Sequence, residues 1–140
     1  MKINWSGRSH KYSSKDISYL AKIIRMADPL TQGKYLKDFQ IAFGNYIGKK
    51  NVFAVSSAAA ALEIIAMLLN LKKRDEVIIP AHTYCATAIP FARNGAKIVW
   101  SDINFNTRVV DINDIKNKIT KRTKAIIIVH LYGYTMNFNP

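Results

Sequence analysis

From residue 51 onward, short runs of β-branched and apolar residues alternate with helix-patterned segments, and this alternation restricts the fold more than any other feature of the chain. Val52-Phe53-Ala54-Val55, Glu76-Val77-Ile78-Ile79, Lys97-Ile98-Val99-Trp100 and Ala125-Ile126-Ile127-Ile128-Val129 have the length and composition of strands. Between the first two, Ser56-Ser57 caps a helix whose Ala and Leu content over 58–69 favours helix formation, and residues 70–74 form the return loop. Residues 83–94 predict a short helix bent or restarted near Pro90 and closed by Gly95. Asp111 to Ile119 predicts another, with Ile112, Ile115 and Ile119 on one face. Strands joined by helical crossovers run parallel, and such a sheet carries helices on both faces. The last run is apolar throughout, which predicts a strand inside the sheet.

Before residue 51 the pattern is helical. Ser14 is placed to cap a helix with Ile17, Leu20, Ala21 and Ile24 at i, i+3, i+4 and i+7, and Asp28-Pro29 ends it because the residue before proline avoids the α region. After a turn at Thr31-Gln32-Gly33, Leu36, Phe39, Phe43, Tyr46 and Ile47 mark a second amphipathic helix, with Gly48 where a left-handed C-cap falls. The opening has no period, so residues 1–13 are expected to be an N-terminal arm and 14–140 one α/β domain.

With 49% hydrophobic residues in 140, the chain is built to bury a core and is not a disordered segment. The longest apolar run is broken by Glu63, and no apolar stretch follows a basic head at the start, so neither a membrane span nor a signal peptide is expected and the expected location is cytoplasmic. A single Cys85 makes no internal disulfide and no structural zinc site, and no metal site is expected. The net charge of +12 raises nucleic-acid binding, but the cations fall in pairs and triplets such as Lys49-Lys50 and Lys72-Lys73-Arg74. That distribution is a solvated surface and argues against nucleic acid, while leaving anionic small molecules open.

Parallel sheets bind ligands beyond the carboxyl ends of their strands. The segments there are Ser56-Ser57-Ala58, Pro80 to Tyr84, Ser101-Asp102 and His130-Leu131-Tyr132-Gly133. The first opens a helix, whose leading N–H groups lack partners and attract an anion; plain N-capping explains it equally. No Gly-x-Gly-x-x-Gly or Gly-Lys-Ser motif is present. His82, Tyr84 and Cys85 stand at one strand end and His130 and Tyr132 at another, each also compatible with simple packing. Asp102 is the only acid at a carboxyl end, with Glu63 and Glu76 elsewhere, so paired-carboxylate hydrolysis is not expected.

The order of these segments resembles a known family. Residues 30–35 (Leu-Thr-Gln-Gly-Lys-Tyr), Phe39 to Gly48, Val55-Ser56-Ser57 with Ala60-Ala61-Leu62-Glu63, residues 75–87 around Pro80-Ala81-His82-Thr83-Tyr84, Gly95-Ala96-Lys97, Asp102-Ile103, Ile119 to Ile126 and Val129-His130-Leu131-Tyr132-Gly133 together resemble the DegT/StrS-type sugar aminotransferases. The resemblance covers roughly residues 14–135. It implies a fold type I enzyme dependent on pyridoxal 5′-phosphate (PLP), which moves an amino group, usually from glutamate, to a nucleotide-linked keto sugar for polysaccharide or amino-sugar synthesis. A homodimer is implied, because fold type I sites are usually completed by the partner subunit.

The family's serine-glycine-threonine turn, which holds the PLP phosphate with backbone N–H groups, corresponds to Ser57, Ala58 and Ala59. Two of the three residues differ: the threonine hydroxyl is lost, and Ala58 is strained if the glycine position needs positive φ. Tyr84 corresponds to the aromatic residue that stacks on the cofactor ring. Gln40 stands where glutamate is favoured, and Tyr134-Thr135 where glutamine-proline commonly follows. The family's Schiff-base lysine and the carboxylate facing the pyridine nitrogen are expected beyond residue 140, so the resemblance implies an incomplete PLP-binding domain, truncated after the fourth strand and inactive alone. The alternatives are a dehydratase relative of the same family and a non-catalytic binding module.

Overall fold

A computed structural model describes residues 11–27, 29 and 31–136; the expected arm falls largely outside the described residues. The chain divides into two compact units, Met1–Ala54 and Val55–Pro140.

The first unit holds α1 (Ser14–Met26) and α2 (Lys34–Ile47). The cap of α1 is Ser13, one residue before the expected Ser14, because Asp16 closes a reciprocal box: Asp16 N donates to Ser13 Oγ at 3.2 Å and Ser13 N donates to Asp16 Oδ2 at 2.9 Å. Gly48 ends α2 with φ 67°, the left-handed cap foreseen from the spacing. Gly44 is required for a different reason, since a Cβ there would lie 2.6 Å from the Lys49 carbonyl oxygen. The apolar stripes leave Ile17, Leu20, Ile24, Phe39 and Phe43 largely exposed.

Residues 52–55, expected as the first strand, form no ladder. An extended segment becomes a strand only by exchanging backbone hydrogen bonds with a neighbour. Here the Ala54 N–H donates instead to Gln40 Oε1 at 2.9 Å, so a side chain of α2 takes the place of a ladder partner.

The second unit is built on a three-stranded parallel sheet in the order β2–β1–β3, with β1 Glu76–Pro80, β2 Lys97–Ser101 and β3 Thr123–Ile126. All five residues of β1 are buried, as a central strand covered on both faces requires. Val77 and Ile79 pack with Ala66, Leu71, Ala88, Phe91 and Ala96, the side covered by α3 (Ala58–Leu68) and α4 (Ile89–Arg93). Ile78 packs with Val110 and Ile115, the latter from α5 (Ile112–Lys118), on the opposite side. The period-two alternation of β1 thus feeds two hydrophobic clusters.

The last strand departs from expectation. It begins at Thr123, stops at Ile126, and lies at the edge of the described sheet rather than inside it. The Ile127 N–H still donates to the Ile78 carbonyl at 2.9 Å, but residues 127–129 lie outside the ladder and stay half-buried. Between β1 and β2, a 3-10 turn at Cys85–Thr87 precedes α4, whose first turn holds Pro90. Proline is tolerated there because an early helical N–H has no acceptor to lose.

Candidate functional site

The loop from α3 to β1 is short, residues 69–75, so the end of α3 lies near the start of β1 and its N-terminus reaches the carboxyl end of the sheet. Ser57 caps this eleven-residue helix, its Oγ accepting from the Ala60 N–H at 3.1 Å. The amides of Ala58 and Ala59 then lead the helix with no intrahelical acceptor, and Ser57, Ala58 and Ala59 are all exposed. Ala58 is absent from the residues with positive φ, so alanine meets no backbone strain at the position where the family pattern has glycine.

Tyr84 follows β1 in the loop that leads into the 3-10 turn, and this turn packs against α3. The Tyr84 ring is 72% exposed and therefore open to a planar partner. Thr83 and Thr87 hold the turn through their hydroxyls, 2.8 Å apart, with Thr87 buried. Cys85 is a free, exposed thiol in the same turn.

A second loop joins from β3. The Tyr132 ring lies 6.3 Å from that of His82, tilted by 57°. Tyr132 has φ 56° and is followed by Gly133 at φ 85°, so a bulky residue is held in the left-handed region at the rim of the sheet. His130 opens this 3-10 turn, Leu131–Gly133. Backbone outliers of this kind cluster at functional sites.

At the end of β2, Asp102 does not stand alone as the acid. Asp114, from the first turn of α5, accepts from Ser101 Oγ at 2.9 Å, from the Asp102 N–H at 2.7 Å and from Lys118 Nζ at 2.7 Å. These donors, Lys118 foremost, hold its carboxyl at about 2. Asp102 itself accepts from the Ile103 N–H at 2.8 Å. No sequence pattern marks Asp114, because a carboxylate twelve residues past the loop it locks leaves no periodic signal. Glu63 and Glu76 lie away from this rim as expected, Glu63 accepting from Asn94 Nδ2 at 3.3 Å.

The rim can therefore offer an anion two backbone N–H groups and a serine hydroxyl, and offer a flat ring the faces of Tyr84, His82 and Tyr132. In chemical kind, these are the donors and faces that the phosphate and the ring of PLP would require. Among the described residues no group of three His, Cys, Asp or Glu could hold a metal ion, and no helix is long and apolar enough to cross a membrane.

The chain is similar in sequence and fold to known sugar-modifying enzymes. The dTDP-3-amino-3,6-dideoxy-alpha-D-galactopyranose transaminase of Aneurinibacillus thermoaerophilus is 40% identical over 101 residues, 72% of this chain and 28% of that enzyme. The GDP-4-keto-6-deoxy-D-mannose 3-dehydratase of Escherichia coli O55:H7 is 37% identical over 115 residues, 78% of this chain and 30% of that enzyme. Among solved structures, Streptococcus pneumoniae Spr1654 in its PMP form superposes with a TM-score of 0.83 at 31% identity, over 91% of this chain and 32% of that one. The chain thus spans about a third or less of the length of these relatives. Its parallel sheet with flanking helices is the corresponding part of the fold type I architecture. A model of the DegT/DnrJ/EryC1/StrS aminotransferase family matches residues 11–140, and with the fold in agreement, the chain belongs to that PLP-dependent family.

Proposed function

We propose that this chain is the N-terminal part of a PLP-dependent enzyme that transfers an amino group, with glutamate as donor, to a nucleotide-linked keto sugar. The observation that carries the reading is the pairing of an open helix N-terminus at Ser57–Ala59 with the exposed Tyr84 ring at the same end of the sheet. The substrate class is supported by the transaminase and the dehydratase among the relatives, both of which are named for sugars carried on a nucleotide.

Each residue has a definable task. The Ala58 and Ala59 amides donate to phosphate oxygens, and the α3 dipole adds favourable potential at that end. Ser57 Oγ accepts from Ala60 while its own hydrogen remains available for donation to a phosphate oxygen. Tyr84 supplies a face for the pyridine ring, and His82 with Tyr132 bounds the rim from the adjacent loop. When bound, PLP supplies an electron sink through which an amino group passes from donor to acceptor. The Schiff-base lysine belongs, in this reading, to a segment outside these residues, so the 140-residue chain alone does not transaminate. The whole enzyme is proposed to act in the cytoplasm as a homodimer.

The dehydratase among the relatives favours a second reading, removal of a hydroxyl as water from a similar keto sugar. Both are tested on the whole gene product with PLP, glutamate and a nucleotide-linked keto sugar. Conversion of the PLP absorbance to that of its amino form by glutamate, followed by an amino sugar in the product, supports transamination. A deoxy sugar with released ammonia assigns the dehydratase. Failure to take up PLP overturns both.

A further inference from the structure

The amino end of the sheet carries a concavity lined by Lys73, Arg74, Glu76, Lys97 and Arg122, four cations around one carboxylate. It lies at the opposite end of β1 from the rim described above, about 13 Å away along a five-residue strand. The cations are held in two different ways. Glu76, with its side chain 3% exposed, accepts from Arg122 Nη2 at 2.9 Å, Arg122 Nε at 3.2 Å, Lys97 Nζ at 3.4 Å and Thr120 Oγ1 at 2.6 Å. Its negative charge is therefore engaged on the inner side, while Arg122 and Lys97 remain 57% and 65% exposed and turn further N–H donors outward.

Lys73 and Arg74 sit at the tip of a turn closed by Asp75 N donating to the Lys72 carbonyl at 2.8 Å, and Asp75 Oδ2 accepts from the Lys72 N–H at 2.8 Å. Among the described residues, neither Lys73 nor Arg74 makes a side-chain hydrogen bond or ion pair. One carboxylate against four cations leaves the lining with three uncompensated positive charges in a single concavity. Such a cluster repels itself unless an anion joins it, and a guanidinium fixed by a carboxylate at one edge is pre-organised to meet phosphate oxygens with another.

We propose that this concavity is a binding site for a small anion bearing a diphosphate group, separate from the cofactor rim. Inorganic pyrophosphate matches the excess charge and serves as the probe, and GDP distinguishes a nucleoside diphosphate from an inorganic source.

The test is a titration of the whole gene product with pyrophosphate at fixed ionic strength, followed through backbone amide shifts. Saturable shifts are expected at residues 73, 74, 97 and 122. The double variant Lys73→Glu with Arg74→Glu, both exposed and outside the core, weakens binding by about tenfold or more, the loss of one or two charge-assisted contacts. The double variant Lys49→Glu with Lys50→Glu changes net charge equally but lies in the other unit, and leaves affinity unchanged. Tighter binding of GDP than of pyrophosphate assigns a nucleotide, and equal or weaker binding an inorganic diphosphate. Shifts that do not saturate, or equal loss in the two double variants, would show only general cationic attraction and overturn the site.

Discussion

Asp114 Oδ2 stands 2.9 Å from Ser101 Oγ, and through this contact the first turn of α5 fixes the carboxyl end of β2. The same oxygen takes the Asp102 N–H and the Lys118 ammonium, so one carboxylate closes a strand end, a loop and a helix. Its carboxyl titrates at about 2 in the fold, against about 4 in an unfolded chain. A depressed folded pKa contributes stability above the unfolded value and loses it as pH falls toward the folded one. Unfolding midpoints should therefore decline between about pH 4 and about pH 2. Glu76, lowered chiefly by its hydrogen bond from Thr120, contributes in the same direction. Asp114→Asn should lower the midpoint at neutral pH and flatten this acid-side decline, measured by denaturant titration across pH. An unchanged pH profile would refute the assignment.

Packing predicts a sharper contrast. Phe91 is fully buried against both α3 and β1 neighbours, whereas Phe105 is 76% exposed with the Arg108 guanidinium 4.6 Å from its ring centroid. Phe91→Ala should cost about 3–5 kcal/mol, transfer and cavity together. Phe105→Ala should cost about 0.5 kcal/mol or less, being an exposed change. Denaturation of both variants alongside the parent measures the difference.

How much of this was legible in the sequence follows from whether a signal is local. Gly48, the restart at Pro90 and the strands at 76 and 97 are read from neighbours within one turn or one pleat, and the structure has them where the pattern put them. The 52–55 and 125–129 runs have strand composition, yet strand formation depends on a partner elsewhere: Ala54 bonds to Gln40, and β3, which has β1 as its one neighbour in the described sheet, leaves the ladder after Ile126. The same limit hid Asp114 and the His82–Tyr132 contact, both made between segments far apart in sequence. Ser57 is legible as a helix cap from its place before the Ala- and Leu-rich run, whereas the cofactor roles of Ser57 and Tyr84 come only from the family resemblance.

Ser57 combines a structural and a proposed binding task, and substitution can separate them. Ser57→Ala removes the acceptor for the Ala60 N–H and should cost about 1 kcal/mol of stability. Ser57→Gly should cost only a few tenths of that unit, since glycine is tolerated at a cap. In the whole enzyme both lose the same hydroxyl toward phosphate. PLP affinity should therefore fall alike in both while their thermal midpoints differ. An affinity that tracks the midpoint would mean that the serine acts as a cap alone.

Ala58 and Ala59 give the complementary test, because the resemblance implies glycine and threonine at these positions, where this chain has two alanines. Ala58 is helical and unstrained, so Ala58→Gly should destabilise α3 by about 0.5–1 kcal/mol and bring no relief of strain. Ala59→Thr places a hydroxyl beside the two leading amides. It should cost about 0.5 kcal/mol in helix propensity, yet strengthen PLP binding by several-fold up to about tenfold through one added hydrogen bond to a charged phosphate. Equilibrium titration of the whole enzyme with PLP, read by absorbance, measures the gain. If Ala59→Thr leaves affinity unchanged while Ser57→Ala also leaves it unchanged, the helix N-terminus is a cap and nothing more, and the phosphate must be sought elsewhere.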